Sequence, residues 1–501
     1  MTLFAAATGM QAAAGLTAAL AAACVLVVPD PRRRIQAMPV ALVLAALTIY
    51  LVADHQVAHQ LSGRLALAAV GLVAGLAGLA VLGWAFRRWP DAFVVTAVAT
   101  LAVRIPLDVG GESASLLLPL YAVIAGGVVA RLWSPPSTES RRPTTVERAL
   151  AAVVDLYAVQ ALYSRDVEAA AKDLAFFYVP FAVLARLLLD ATWSRGLVKV
   201  LLGTVVGLAL LFAVVGLYQY ATRTTLLSNE KVLLANELKP YFRVNSLFFD
   251  PNIYGRYLAL AMVFLAAALL WARQRRTVVC CGVGLALLWA GLVPSLSESS
   301  FAALALGLAV LAGLRWSWRP VLAAAGGVAA VALAVMLIAP GAVGIETHSF
   351  DKLNKSTSGR AELIKGGLQI WRDHPVLGRG SGSFAAEYRD RKNLLSPRSP
   401  AESHTIPVTV AAEQGIVGLV AYLSLLVAAL GLVLRGVRRR AARAAVAAAF
   451  AALVLHTLVY AAFLEDPITW ALLAAAIALR RHGVSDPDPD RVPAGAAAVA
   501  A

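Results

Sequence analysis

Charge is scarce in this chain. Asp, Glu, Lys and Arg supply 15% of its 501 residues, against about 25% in ordinary soluble domains, while hydrophobic types reach 60% and the mean hydropathy is +0.74. That shortage excludes a solvated globular domain and points to a multi-pass membrane protein. Acidic residues are scarcer still, 29 against 44 basic ones, leaving a net charge of +15. The basic excess is split among short clusters between apolar runs, which excludes a nucleic-acid surface. It fits membrane topology and contact with anionic lipid instead. Cysteine is nearly absent: Cys24, Cys280 and Cys281 all fall in apolar segments, so a disulfide-stapled ectodomain is excluded. No basic segment precedes the first apolar run, which is therefore expected to be a span and not a cleaved signal. No compact group of His, Cys and carboxylate has ligand-like spacing, so neither a metal nor a cofactor is expected.

What the chain has is apolar runs of spanning length. The expected fold is all-α: a polytopic membrane helical bundle of about 12–15 transmembrane helices with a partly helical extracytoplasmic cap. The predicted layout is transmembrane helices over 1–221, an external loop over 222–252 and further helices over 253–340. An external cap over 341–404, C-terminal helices over 405–480 and a Pro/Ala-rich cytoplasmic tail over 481–501 complete it. Two of the expected spans are Ala92–Val109 and Ala114–Trp133. Basic clusters at Arg32–Arg34, Arg87-Arg88, Arg141-Arg142, Arg273–Arg276, Arg438–Arg440 and Arg480-Arg481 recur after alternate spans. Those ends are expected to be cytoplasmic, which turns both long polar stretches outward.

The polar stretches hold the candidate chemistry. In the cap, ten Lys/Arg face seven Asp/Glu, a balance that suits an anionic ligand. Ala361, Ile364, Leu368 and Trp371 predict an amphipathic helix with Ser358 and Gly359 at its cap positions and Glu362 in its first turn. Arg360 then lies at a helix N-terminus, where free N–H groups already favour an anion and a guanidinium adds a phosphate fork. Arg360 is equally well read as a solvated charge. His404 closes the cap at the membrane surface, as a titratable base or a structural interfacial histidine. The other stretch ends with Arg243 ahead of Phe-Phe-Asp-Pro-Asn (Phe248–Asn252) and Arg256 inside the following span. Asp250 and Pro251 make a good helix start there, so a capped span with snorkelling arginines is an alternative reading. Gly378-Arg379-Gly380-Ser381-Gly382 lacks a Walker lysine pattern and reads as a turn. Glu413, inside the next span, is a functional candidate by its depth; Arg104, Asp155 and Arg186 are also intramembrane and are read as pairing within the bundle.

Taken together, these pieces resemble the O-antigen ligase and O-antigen polymerase family of bacterial membrane glycosyltransferases. The resemblance covers roughly residues 197–480. It rests on Phe-Phe-Asp-Pro-Asn, Ser-Glu-Ser-Ser (297–300), Ser-Gly-Arg (358–360) with Trp371, His-Pro-Val-Leu-Gly-Arg-Gly (374–380), His404, and Glu413-Gln414-Gly415. It implies transfer of a glycan from an undecaprenyl-diphosphate carrier to a glycan or lipid acceptor on the outer face of the cytoplasmic membrane, inverting and without metal. By resemblance, Arg243 and Arg360 clamp the diphosphate and His404 accepts the proton of the attacking hydroxyl. Arg256, Asn252, Ser358, Gly359, Glu402 and Glu413 complete the expected substrate-binding set. Thr405 departs from the family, which commonly has an amide after the histidine. The competing class is a lipid-glycan flippase or other transporter, which would show two matched halves with interrupted helices.

Overall fold

The computed structural model describes residues 2–52, 65–109, 112–134, 140–227, 230–238, 241–338, 351, 354, 359–392, 403–437, 440–460 and 462–481. The chain is a polytopic helical bundle. Among the described residues nine helices are long and apolar enough to cross a membrane. In order, the N-terminal elements are α1 (Thr2–Val27), α2 (Pro31–Val52), α3 (Leu65–Arg88), α4 (Pro90–Thr100), α5 (Leu118–Leu132) and α6 (Thr145–Ala161). Then come α7 (Val167–Asp173), a π-turn at Leu174–Tyr178, α8 (Val179–Asp190), α9 (Arg195–Thr222) and the short α10 (Glu230–Leu238). The second half has α11 (Pro251–Leu270), α12 (Arg275–Leu292), α13 (Glu298–Arg315) and α14 (Trp318–Ile338). After α15 (Arg360–Asp373) and α16 (Phe384–Arg391) of the cap come α17 (Ile406–Leu434), α18 (Ala441–Val459) and α19 (Pro467–Arg481). One pair of expected spans is broken. The runs Ala92–Val109 and Ala114–Trp133 are not continuous spans: between α4 and α5 lies an antiparallel hairpin, β1 (Ile105–Val109) and β2 (Glu112–Leu116), in register Ile105↔Leu116 through Val109↔Glu112. Pro106 has no N–H for a helix, and the Gly-Gly pair in the sequence after Val109 is a hairpin signal that apolar content overshadowed.

The bundle has two chemically distinct ends. At one, Arg34 and Arg131 approach Asp190 at 3.8 and 3.4 Å, and the buried Arg186 bonds both Asp190 and Glu147. This joins the start of α2, the end of α5, the start of α6 and the end of α8 in one basic end. Arg186, read as an intramembrane charge pairing within the bundle, does pair there. Glu147 also closes a capping box with Thr144, fixing where α6 begins. With lipid tails as apolar as leucine, the helices hold together by close packing. Ala-rich α18 and α19 accordingly bury Ala447, Ala448, Ala449, Ala474 and Ala478 at 1% exposure or less.

At the opposite end sits the cap. Its α15 buries Leu363, Gly366, Gly367 and Ile370, not the expected Ile364–Leu368–Trp371 stripe; Leu368 is 37% exposed. The glycines decide this. A Cβ at Gly366 would stand 2.5 Å from the Tyr388 ring, and one at Gly367 2.6 Å from Val408, so α15 approaches through its smallest residues. Large apolar residues mark a helix face only where there is room for them.

Candidate active site

Four elements bring polar side chains to the cap end of the bundle. Residue 243 precedes α11, whose N-cap is Asp250, accepting from the Asn252 N–H at 2.7 Å. Arg243 donates from Nε to the Ser295 carbonyl at 3.0 Å and from Nη2 to Asn252 Oδ1 at 3.3 Å, while its backbone is paired to Asn236. Asn252 Oδ1 also accepts from Ser297 Oγ at 2.9 Å. Ser297, the N-cap of α13, bonds Ser300 at 2.8 Å, and Ser299 reaches His456 Nε2 at 3.2 Å. A continuous polar chain thus runs from Arg243 through Asn252 and the Ser-Glu-Ser-Ser turn to a fully buried histidine of α18.

That histidine leads to His404. The Tyr460 ring lies 5.6 Å from His456 on one side and 6.1 Å from His404 on the other. His404 has φ +58, a left-handed conformation uncommon outside glycine. The neighbouring Ser403 holds it there: its N–H donates to Thr409 Oγ1 at 3.1 Å and its hydroxyl to the Thr405 carbonyl at 2.8 Å. Backbone strain of about 1–3 kcal/mol at one residue persists where the surroundings over-determine it, and such residues cluster at functional sites. Thr405, the residue that departs from the family, is the N-cap of α17 and uses its carbonyl to receive Val408 and Thr409.

Arg360 opens α15 as expected, but the helix is capped by Asn354, whose Oδ1 accepts the Glu362 N–H at 3.0 Å. Gly359 is the N-cap in a left-handed conformation, φ +85. Arg360 lies close enough to His456 for its charge to act on the ring, as does Arg256. Among the described residues no carboxylate pairs with Arg360. Arg104, between α4 and β1, is within electrostatic range of Asp466, Arg256 and Tyr460. The site is therefore rich in positive charge. Ser358 and Glu402 lie outside the described residues.

Two candidates are held by the protein itself. Arg256 is tied to Asp466 in a pair with 2% of each side chain exposed. Glu413 accepts the Gly382 N–H at 2.9 Å on one oxygen and the Phe384 N–H at 3.0 Å on the other. It fastens the Gly378–Gly382 turn to α17. The turn closes against a kink where Gly415 takes φ 64 and ψ −161, with a Cβ there falling 2.2 Å from the Val376 carbonyl oxygen. Glu413, a functional candidate by its depth in the sequence reading, has both carboxylate oxygens bonded to the cap backbone. The turn is also bonded to the end of α6, through Tyr163 OH to the Leu377 carbonyl and Ser164 Oγ to the Ser381 carbonyl.

Residues 283–423 match the family model for O-antigen ligase. This segment is similar to the O-antigen ligase family. It carries Ser297–Ser300, Arg360, His404 and Glu413, whereas Arg243, Asn252, Arg256, His456, Tyr460 and Asp466 are supplied by the chain on either side of it. No curated protein matches the chain. Sequence reading missed His456, Tyr460 and Asp466 entirely, and put Arg104 in a continuous span. The available signal for His456 was its depth, since an ionisable residue inside an Ala-rich span is a functional candidate by default.

Proposed function

We propose that this membrane glycosyltransferase transfers a glycan from an undecaprenyl-diphosphate carrier to a glycan or lipid acceptor, with inversion and without metal, on the extracytoplasmic face. The observation that supports the reading is that the polar chain from Arg243 ends at His456, which the charge of Arg360 also reaches, with Tyr460 close to both His456 and His404. In this scheme the acceptor hydroxyl attacks the anomeric carbon from the face opposite the diphosphate. The bond between that carbon and the phosphate oxygen breaks, and both of its electrons leave with undecaprenyl diphosphate. Arg243 and Arg360 meet the developing negative charge, a task suited to a guanidinium's paired donors. His404 takes the acceptor proton, as a neutral imidazole is suited to do near neutral pH. Asn252 and Ser297 hold Arg243 toward the site; Gly359 leaves the start of α15 open to a phosphate. Arg104 adds charge to the same region. Arg256 and Glu413 act through other groups, the first by pairing with Asp466 and the second by fixing the cap.

The test is incubation of the purified full chain with an undecaprenyl-diphosphate glycan and candidate acceptors, with products resolved by mass and anomeric configuration. A product of inverted configuration that appears only with acceptor is expected. Transfer with retention, or carrier movement across vesicles without any transfer, would sink the reading.

A further inference from the structure

At the basic end, away from the site, the start of α6 and the ends of α17 and α19 enclose a cavity of about 720 Å³. Four arginines line it, Arg148, Arg435, Arg480 and Arg481, with no acidic residue among the lining side chains. All four are exposed, and among the described residues none is in an ion pair. The adjacent acid, Glu147, is fully buried and turned away: one oxygen serves Arg186, and the other serves Arg141 and Thr144. The capping box satisfies the N-cap and third-residue N–H groups of α6. It leaves the Thr145 and Val146 N–H groups at the cavity without acceptors among the described residues.

Apart from Thr144 and Thr145, the remaining lining is apolar. It follows α17 and α19 into the membrane-spanning part of the bundle, past Gly431, Val427 and Ile477. Val427 is 71% exposed, and a Cβ on Gly431 would meet nothing within 4 Å, so this part is open. A cationic rim over an open apolar groove matches one chemistry, an acyl chain ending in an anionic phosphate headgroup. An exposed positive patch alone would attract any anion. A groove whose charge is unbalanced and whose floor is apolar selects an amphiphile.

We propose that this groove is a binding site for an anionic phospholipid of the leaflet at the basic end, with the headgroup among Arg148, Arg480 and Arg481 and an acyl chain along Gly431. The site is independent of the glycosyl-transfer reading.

The test uses the delipidated full chain in detergent and native mass spectrometry with dioleoylphosphatidylglycerol or dioleoylphosphatidylcholine. The glycerol lipid is expected to bind and the choline lipid to bind at least about ten-fold more weakly, because the arginines contribute about five-fold each toward net anionic lipid. Arg148→Gln, Arg480→Gln and Arg481→Gln combined should remove most of the preference, leaving at most the roughly five-fold that Arg435 supplies. Arg275→Gln, Arg276→Gln and Arg319→Gln combined, at the same end but outside the groove, should leave the preference intact. Gly431→Leu fills the groove without changing charge and should weaken binding of both lipids. It also keeps the test decisive if the triple arginine variant does not fold. Equal binding of the two lipids by the wild type overturns the proposal. So does an equal loss of preference in the outside triple variant, or full retention of binding in Gly431→Leu.

Discussion

Arg256 and Asp466 form a closed ion pair, Nη2 to Oδ2 at 2.6 Å, joining the first turn and a half of α11 to the residue preceding α19. The family resemblance makes Arg256 a substrate contact; the pair engages Nη2, while Nε and Nη1 are buried with no hydrogen-bond partner among the described residues. Removing either partner leaves a buried charge alone, which costs about 3–5 kcal/mol, whereas replacing both with apolar residues of similar volume is often neutral. Arg256→Met and Asp466→Leu should each lower thermal stability sharply, and the double variant should recover most of it. Equal loss in the double and single variants would show that the pair is not the relevant unit.

The two proposed roles at the cap end separate by measurement. Arg360→Ala should weaken carrier binding and slow single-turnover transfer, together costing about 2–4 kcal/mol, with Arg360→Lys recovering only part. Arg243→Ala should behave alike. His404→Ala should bind carrier nearly normally while turnover drops by about 100-fold or more. Near wild-type transfer by His404→Ala would move the base elsewhere.

Glu413 accepts the backbone N–H groups of Gly382 and Phe384. Glu413→Ala should loosen the Gly378–Gly382 turn, since each buried donor left unsatisfied costs about 1–3 kcal/mol. Amide exchange over residues 378–391 should rise while the span itself stays protected. Unchanged exchange there would remove Glu413 from the anchoring of the cap.

In the proposed scheme the arginines supply the charge that a divalent ion otherwise would. Transfer should survive EDTA; loss restored by magnesium or manganese would count against the arginine clamp.

Orientation is open to a direct check. With Cys24, Cys280 and Cys281 replaced by alanine, Arg372→Cys should react with an impermeant thiol reagent on intact cells and Arg276→Cys should not. The reverse pattern would place the site on the cytoplasmic side.

Much of this molecule was legible in the chain because a bilayer leaves few choices. Long apolar runs must be helices, since no water is present to bond an open backbone, and arginine clusters recur at one set of helix ends. Asp250 and Pro251 at the start of α11 were readable for the same local reason, as was Arg360 at the start of α15. Partnership was not readable. That Arg256 meets Asp466, that Glu413 is used up by Gly382 and Phe384, and that His456 links Ser299 to Tyr460 all depend on distant segments packing together. The buried face of α15 depended on Gly366 and Gly367 letting Tyr388 and Val408 come close, a property of the neighbours. Solvent and backbone chemistry act residue by residue and are written in the sequence. Which charge is left free to meet a substrate depends on what the folded chain places beside it, and only the tertiary structure decided that.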